Sequence, residues 1–168
     1  DISTWNVSSA TNMRNMFAGA SAFNQNISQW NVSSVTNMEQ MFYHASSFNQ
    51  DISQWNVSGV THMNGMFFHA TSFDQDIFNW VVSNVMYMQA MFEGASSFNR
   101  DISGWDVASV TNMSHMFQES HFNGPISEWD VSNVTTMKGM FQWSKFNVPI
   151  SEWDVSNVTN MISMFRSS

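Results

Sequence analysis

The stretch "WNVSSVTNMEQMF" at residues 30–42 is the unit from which this chain is built. It stands as "WNVSSATNMRNMF" at 5–17 and as "WNVSGVTHMNGMF" at 55–67, at equal distances before and after. A fixed period of this length is typical of repeat proteins, in which each unit buries its apolar face only against its neighbours. The sequence therefore predicts a stack of similar turns.

The same apolar residues return in seven repeats, at a constant interval through the first five and at an interval shorter by one in the last two. The missing residue falls where "FAGASAF" at 17–23 shortens to "FQESHF" at 117–122. Deletions usually settle in loops, so this segment is predicted to be a loop. The repeat tryptophans are Trp5, Trp30, Trp55, Trp80, Trp105, Trp129 and Trp153.

Two periodicities within one unit predict its local structure. In "DISTWNV", Trp5 and Val7 flank Asn6, the alternation expected of a strand with one buried face. Downstream, Ala10, Met13 and Met16 follow at steps of three, as on one face of a short helix. The predicted fold class is α/β: a right-handed leucine-rich-repeat-like solenoid of seven stacked strand–short-helix turns, with a parallel sheet along one face.

A single segment, 1–168, is expected, and it opens and stops in mid-pattern as a fragment of a longer array would. The predicted repeats are 1–25, 26–50, 51–75, 76–100, 101–124, 125–148 and the incomplete 149–168.

Composition and charge exclude several classes of partner. Thirteen acidic residues against five basic ones give a net charge of −8, which argues against nucleic acid and against adsorption to anionic membranes. There is no cysteine, so disulfides and thiolate metal sites are excluded. No apolar run approaches the roughly 18 residues of a membrane span, so this segment is not expected to insert into a membrane.

The pattern of residues 23–42, "FNQNISQWNVSSVTNMEQMF", carries a resemblance to a known family. Ile27, Trp30 and Val32 occupy the places of a leucine-rich "LxxLxL" motif, and the whole unit resembles the BspA-like leucine-rich-type repeat of bacterial lipoproteins and wall-anchored proteins. The resemblance covers essentially the whole chain. It implies an exported, cell-surface protein with a role in adhesion, and it implies no enzymatic activity, cofactor or ligand.

The repeated Met and Asn positions are interpreted as structural. Met beside Phe at regular spacing is typical of a core, because thioethers fill gaps and pack against rings. The Asn after the second Phe is expected to form a ladder that satisfies backbone groups in each turn. This column comprises Asn24, Asn49, Asp74, Asn99, Asn123 and Asn147.

Outward positions become acidic toward the end of the chain, at Asp106, Glu128, Asp130, Glu152 and Asp154. Like charges stacked about 4.8 Å apart would repel and raise some carboxyl pKa values. A bound Ca²⁺ or a cationic partner would relieve the repulsion, since Ca²⁺ takes several carboxylate oxygens. The alternative is a solvated acidic face with no ligand.

Repeat four, "DIFNWVVSNVMYMQAMF" at 76–92, departs from the others. Four normally polar positions become apolar or aromatic, at Phe78, Val81, Met86 and Tyr87. Exposed apolar patches often mark interfaces, so these residues are candidates for contact with a partner. The alternative is neutral drift on the surface.

Seven Asn-X-Ser/Thr triplets would be glycosylation acceptors if the chain passed a eukaryotic secretory pathway. They lie at Asn6, Asn26, Asn31, Asn56, Asn112, Asn133 and Asn157.

The leading functional hypothesis is a non-catalytic extracellular or cell-surface module for adhesion, binding a protein or a glycan through variable outward positions. The alternative is a structural subunit of a surface fibre, coat or layer, which would associate with copies of itself. No nucleophile, acid–base pair or metal cluster stands apart from the repeat, so the chain is expected not to be an enzyme.

Overall fold

The structure, a computed structural model, describes residues 1–168 as a continuous stack of seven turns. It contains no α-helix, 3₁₀-helix or strand, so the predicted strand–short-helix, leucine-rich-repeat-like architecture is wrong. Extended pairing between turns is limited to isolated parallel bridges of one residue each. They join Asn12 to Asn37, and then His62, Tyr87, Asn112, Thr136 and Asn160 in succession.

The apolar spacing of three that predicted a helix has a different cause. Each turn is a series of tight reverse turns in which an amide donates to the carbonyl three residues back. In the first turn the Trp5 amide donates to Ile2, and the Met16 amide donates to Met13. The first and fourth residues of such a turn lie close together. The apolar side chains of both residues can therefore pack on the same side of the turn. A spacing of three therefore does not distinguish a helix from successive reverse turns.

Left-handed residues prevent a helix from forming in this segment. Two residues of every turn have positive φ, as Gln40 (55°) and His44 (54°) do in the second turn. A right-handed helix cannot pass through them. The first column comprises Asn15, Gln40, Gly65, Ala90, His115, Gly139 and Ser163. The second comprises Gly19, His44, His69, Gly94, Glu119, Trp143 and Ser167.

Adjacent turns are joined by backbone hydrogen bonds along this left-handed segment. The amides of Met13, Asn15, Phe17 and Gly19 donate to carbonyls of the following turn at 2.7–3.0 Å. The same four bonds recur at all six junctions between turns. The four bonds at a junction all run from amides of the earlier turn to carbonyls of the later turn.

The core is one continuous cluster that runs through the stack, as predicted from the Trp, Met and Phe columns. Met41 and Phe42, for example, are fully buried, whereas Trp5 and Phe165 are 54% and 49% exposed in the first and last turns. Side chains of the two outermost turns have a neighbour on one side only. Burial of each ring therefore depends on the turn beside it.

Aromatic rings stack along the axis in register. Phe42 lies 3.8 Å from Phe48 within its own turn and 5.6 Å from Phe67 in the next, measured between ring centroids. Each buried indole is also satisfied, since Trp55 Nε1 donates to the carbonyl of Ile27 at 3.2 Å. These contacts give both apolar burial and polar satisfaction to the largest side chains.

Columns of polar residues form hydrogen bonds between successive turns. The Asn49 amide donates to Asn24 Oδ1 at 2.9 Å, and the same bond repeats along the column, which confirms the predicted asparagine ladder. Thr61 Oγ1 likewise donates to the carbonyl of Thr36 at 3.1 Å. The repeated Asn and Thr residues therefore serve the backbone.

At two places a histidine in one turn has a glycine at the equivalent position of the next turn. A Cβ added to Gly94 would lie 2.3 Å from His69 Nδ1, and one added to Gly139 would lie 2.6 Å from His115 Nδ1. Each histidine ring leans over the glycine of the next turn. Both glycines also have positive φ, so a side chain there meets steric and backbone strain together.

We expect Gly94→Ala to lower the free energy of unfolding by about 2–3 kcal/mol, because it adds a clash with His69 to the strain of a left-handed alanine. In a His69→Ala background the clash is absent, and about 1 kcal/mol of backbone strain should remain. Denaturant melts of the four chains measure the coupling. Equal losses in both backgrounds would contradict the contact.

Candidate functional site

A groove of about 460 Å³ crosses the second to fifth turns on the outward side of the left-handed segment. Most of the residues that line it are polar. We call it the central groove, and it is lined by Glu39, Gln40, Tyr43, Asn64, Gly65, Phe68, Gln89, Ala90, Glu93 and His115.

The floor of the central groove is a consequence of two small residues. Gly65 and Ala90 occupy consecutive places in the first left-handed column, between Gln40 and His115. The Gln40 side chain lies over Gly65, where an added Cβ would be 3.1 Å from its Cγ. The depression therefore lies where two turns in a row lack a long side chain in this column.

Aromatic side chains form one rim. The rings of Tyr43 and Phe68 stack with centroids 4.6 Å apart and planes inclined by 8°. His44 packs edge-on against Tyr43 at 4.5 Å and stacks on His69 at 5.0 Å. Burial, and then the charge of His69, lower the pKa of His44. This rim is a fixed apolar wall.

Farther along the same rim lies a half-buried carboxyl group. Burial, and secondarily the negative charge of Glu119, raise the pKa of Glu93 to about 7. Gln118 Nε2 donates to Glu93 Oε1 at 3.0 Å, and Gln118 Oε1 lies 2.6 Å from His115 Nδ1. Glu93 is thus held in place by an amide, and no basic residue of this chain forms an ion pair with it.

The opposite rim of the central groove includes the amide of Asn64 and the carboxylate of Glu39. Asn64 Oδ1 is buried and has no hydrogen-bond partner. Beside it in the same column, Glu39 forms an ion pair with Arg14 at 3.3 Å. Buried polar atoms are normally satisfied, so Asn64 Oδ1 is an exception within this fold.

Two carboxyl groups of the predicted acidic face have pKa values shifted in the direction opposite to the one expected. Hydrogen bonds from Ser132, first from its hydroxyl and then from its amide, lower the pKa of Asp130. Bonds from the amide and hydroxyl of Ser156 lower the pKa of Asp154, and these outweigh the charge of Asp130. The prediction of raised pKa values is therefore wrong for these two groups.

The five acidic residues of that face are all solvent-exposed: Asp106, Glu128, Asp130, Glu152 and Asp154. The structure brings no three His, Asp or Glu side chains together in a group that could hold a metal ion. Asp106 Oδ1 instead accepts a bond from the amide of Ala108 at 3.1 Å, as its Asn counterparts do in earlier turns. The three aspartates of the face, Asp106, Asp130 and Asp154, therefore stabilise tight turns.

The candidate partner residues of the fourth turn are all partly exposed. Phe78 and Val81, 41% and 56% exposed, border one hollow of about 390 Å³. The Phe78 ring lies over Gly104 of the next turn, where an added Cβ would be 3.1 Å from Cζ. Met86 and Tyr87 do not line that hollow, and the Tyr87 ring instead lies 5.0 Å from that of His62.

The predicted glycosylation asparagines already carry hydrogen bonds that support the backbone. Asn56 Oδ1 accepts from the Ser58 amide at 3.1 Å, and Asn157 Nδ2 donates to the Ser132 carbonyl at 2.8 Å. Six of them are exposed and Asn112 is half-buried. Glycosylation of these residues stays a prediction.

Sequence reasoning missed the central groove. Its residues lie in outward columns that vary from turn to turn, and variation alone does not show which columns are adjacent. One signal was present: Gly65 and Ala90 replace the longer Gln40 at the equivalent places of the next two repeats. Recognising it required knowledge that this column faces outward at positive φ.

We expect Glu93→Gln to flatten the pH dependence of stability between about pH 4.5 and 7. The folded pKa of Glu93 exceeds its ordinary value of 4.5, so the folded chain binds more protons in this window and loses stability as pH rises. The wild-type chain should therefore lose about 1–2 kcal/mol more than the variant over this range, after a discount for solvent screening.

Thermal melts across this pH range measure the difference. Glu152→Gln, which removes an exposed carboxylate two turns beyond Glu119 in the stack, is the matched control. If Glu93→Gln and Glu152→Gln showed the same dependence on pH, the raised pKa would be contradicted.

No helix in the chain has the length and apolarity that crossing a bilayer requires.

Comparison with known proteins places the chain in a family. Searches of curated proteins and of solved structures found no match. A family model described as "Mycoplasma protein of unknown function, DUF285" matches residues 1–105 and again 88–168. Since these two matches together cover the whole chain, the protein belongs to the DUF285 family of tandem-repeat proteins.

Proposed function

We propose that this chain is a non-catalytic module of an extracellular or cell-surface protein that binds a protein or glycan partner through the outward positions of its turns. Membership of a repeat family and the BspA-like resemblance of the repeat unit support the location. The division between a uniform core and variable outward columns supports the role, because repeat proteins recognise partners through such columns.

The main support for this proposal is the replacement of hydrogen-bonding residues by apolar ones in the fourth turn. Val81 replaces the Asn or Asp whose side-chain oxygen accepts an amide in the other turns, as Asn56 does from Ser58. Met86 replaces the Thr whose hydroxyl donates to the preceding turn, as Thr61 does to Thr36. Each lost hydrogen bond is worth about 0.5–1.5 kcal/mol of stability. In place of these bonds, the turn exposes apolar surface at Val81 and Met86.

The turn that follows the apolar patch has space for the Phe78 ring. Phe78 is laid over the next turn because that turn has Gly104 where others have Thr, Gln, Asn or Glu. The ring is therefore fixed at the edge of the hollow that it shares with Val81. A fixed, partly exposed aromatic residue is a common anchor in protein interfaces.

We expect the double variant Phe78→Ser, Val81→Asn to fold with unchanged or slightly higher stability, because an asparagine at position 81 restores the missing bond to the Ser83 amide. The same variant should lose at least about tenfold in affinity for a partner anchored on this patch. Binding of labelled chains to arrays of immobilised matrix proteins and glycans measures this loss. Ser53→Thr, Asn56→Asp makes matched changes in the third turn and is the control.

Undiminished binding by the double variant would contradict the role of the patch. Light scattering over a range of concentrations tests the alternative that the chain is a self-associating structural subunit. A mass that rose with concentration in the wild type, and not in the double variant, would favour that alternative over binding of a different partner.

A further inference from the structure

We propose that the central groove is a second binding site, which takes the ammonium group of a lysine or the guanidinium group of an arginine from an extended segment of a partner protein. This inference rests on the proposed function and specifies part of its chemistry. It concerns the second to fifth turns and is independent of the apolar patch at Phe78 and Val81.

The shape of the groove fits one long side chain. Its volume of about 460 Å³ lies in the range of small-molecule sites. The Gln40 side chain covers Gly65 at one end of the groove, His115 stands at the other end, and Ala90 forms the floor between them. A side chain laid on this floor would run along the stack and meet both rims.

The carboxylates of the groove need hydrogen-bond donors. The carboxylates of Glu39 and Glu93 line the groove and can only accept hydrogen bonds when ionised. Lysine and arginine head groups carry donors and no acceptor. A neutral glycan hydroxyl would not balance the charge of Glu93 and its neighbour Glu119.

The charge balance favours the same ligand. Glu93 lies near a second carboxylate, Glu119, and neither has an ion-pair partner. The two arginines that form ion pairs are already engaged, Arg14 with Glu39 and Arg100 with Asp74. The remaining basic residues are Lys138, Lys145 and Arg166, and none of them lines the groove.

The apolar rim suits the stem of such a side chain. Tyr43 and Phe68 form a stacked pair beside the floor. Lysine and arginine bury their methylene stems against apolar surface while the charged head reaches polar groups. The groove thus has an apolar wall at the second and third turns and a carboxylate at the fourth, in the order that a long basic side chain requires.

Isothermal titration of the full chain with the blocked peptide acetyl-Lys-Lys-Lys-amide tests the proposal. We expect binding that weakens with added salt, and a loss of about tenfold for Glu93→Gln, because one partner of a half-buried charge contact is removed. Glu152→Gln removes an exposed carboxylate outside the groove and should lose less than about twofold when both variants are titrated at about pH 8, where Glu93 is mostly ionised.

A second variant separates shape from charge. Ala90→Gln keeps every charge and places a long side chain on the floor, and glutamine is already present at positive φ in this column at Gln40. Stacked His44 and His69 show that successive long side chains fit in a left-handed column. We expect an unchanged melting temperature and a loss in peptide affinity of about tenfold.

Several outcomes would overturn the proposal. They are an absence of peptide binding to the wild-type chain, equal binding by Glu93→Gln and Glu152→Gln, or binding in the groove of a neutral oligosaccharide in place of the peptide. Phe78→Ser, Val81→Asn should bind the peptide as the wild type does. Loss of groove binding therefore leaves the patch-based function standing, and loss of patch binding leaves the groove standing.

Discussion

Contact between equivalent residues of adjacent turns is the constraint on which the whole molecule depends. A single turn has no helix or strand to hold it and could not exclude water from its own rings. Phe42 is dry because Phe17 lies on one side of it and Phe67 on the other, with centroids 5.5 and 5.6 Å away. The same register brings each indole to a carbonyl and each left-handed amide to its acceptor, so apolar packing and hydrogen bonding specify one alignment.

The alignment explains which substitutions come in pairs. Asp74 stands in the asparagine ladder, and one turn later Arg100 replaces the usual glutamine and binds Asp74 through two nitrogen atoms, at 2.9 and 2.7 Å. Phe78 is followed by Gly104 in the same manner. A substitution in one turn is accompanied by a compensating residue in the next turn, because side chains of neighbouring turns are in contact. Outward columns vary only within the limits set by these contacts.

The sequence was a good guide to the core and a poor guide to backbone conformation. Trp30, Met41 and Phe48 were recognisable as buried because they recur in every unit, and the asparagine ladder followed from the same argument. The backbone was not predictable in the same way, since reverse turns share the helical spacing of three and nothing about Gln40 or His44 indicates a positive φ. The partial exposure of the fourth-turn patch was anticipated from its columns. The central groove was not, because its floor is defined by the absence of long side chains.

One further consequence follows from the one-sided hydrogen bonding of the left-handed segment. Four peptide groups at every junction are aligned in the same sense, so their dipoles add along the axis of the stack, as they do along an α-helix. Only a smaller number of bonds, such as that from the Thr36 amide to Thr11, point the other way. The stack therefore has an electrical polarity, positive toward its later turns, and two such stacks lying side by side would be attracted when they run antiparallel and repelled when they run parallel.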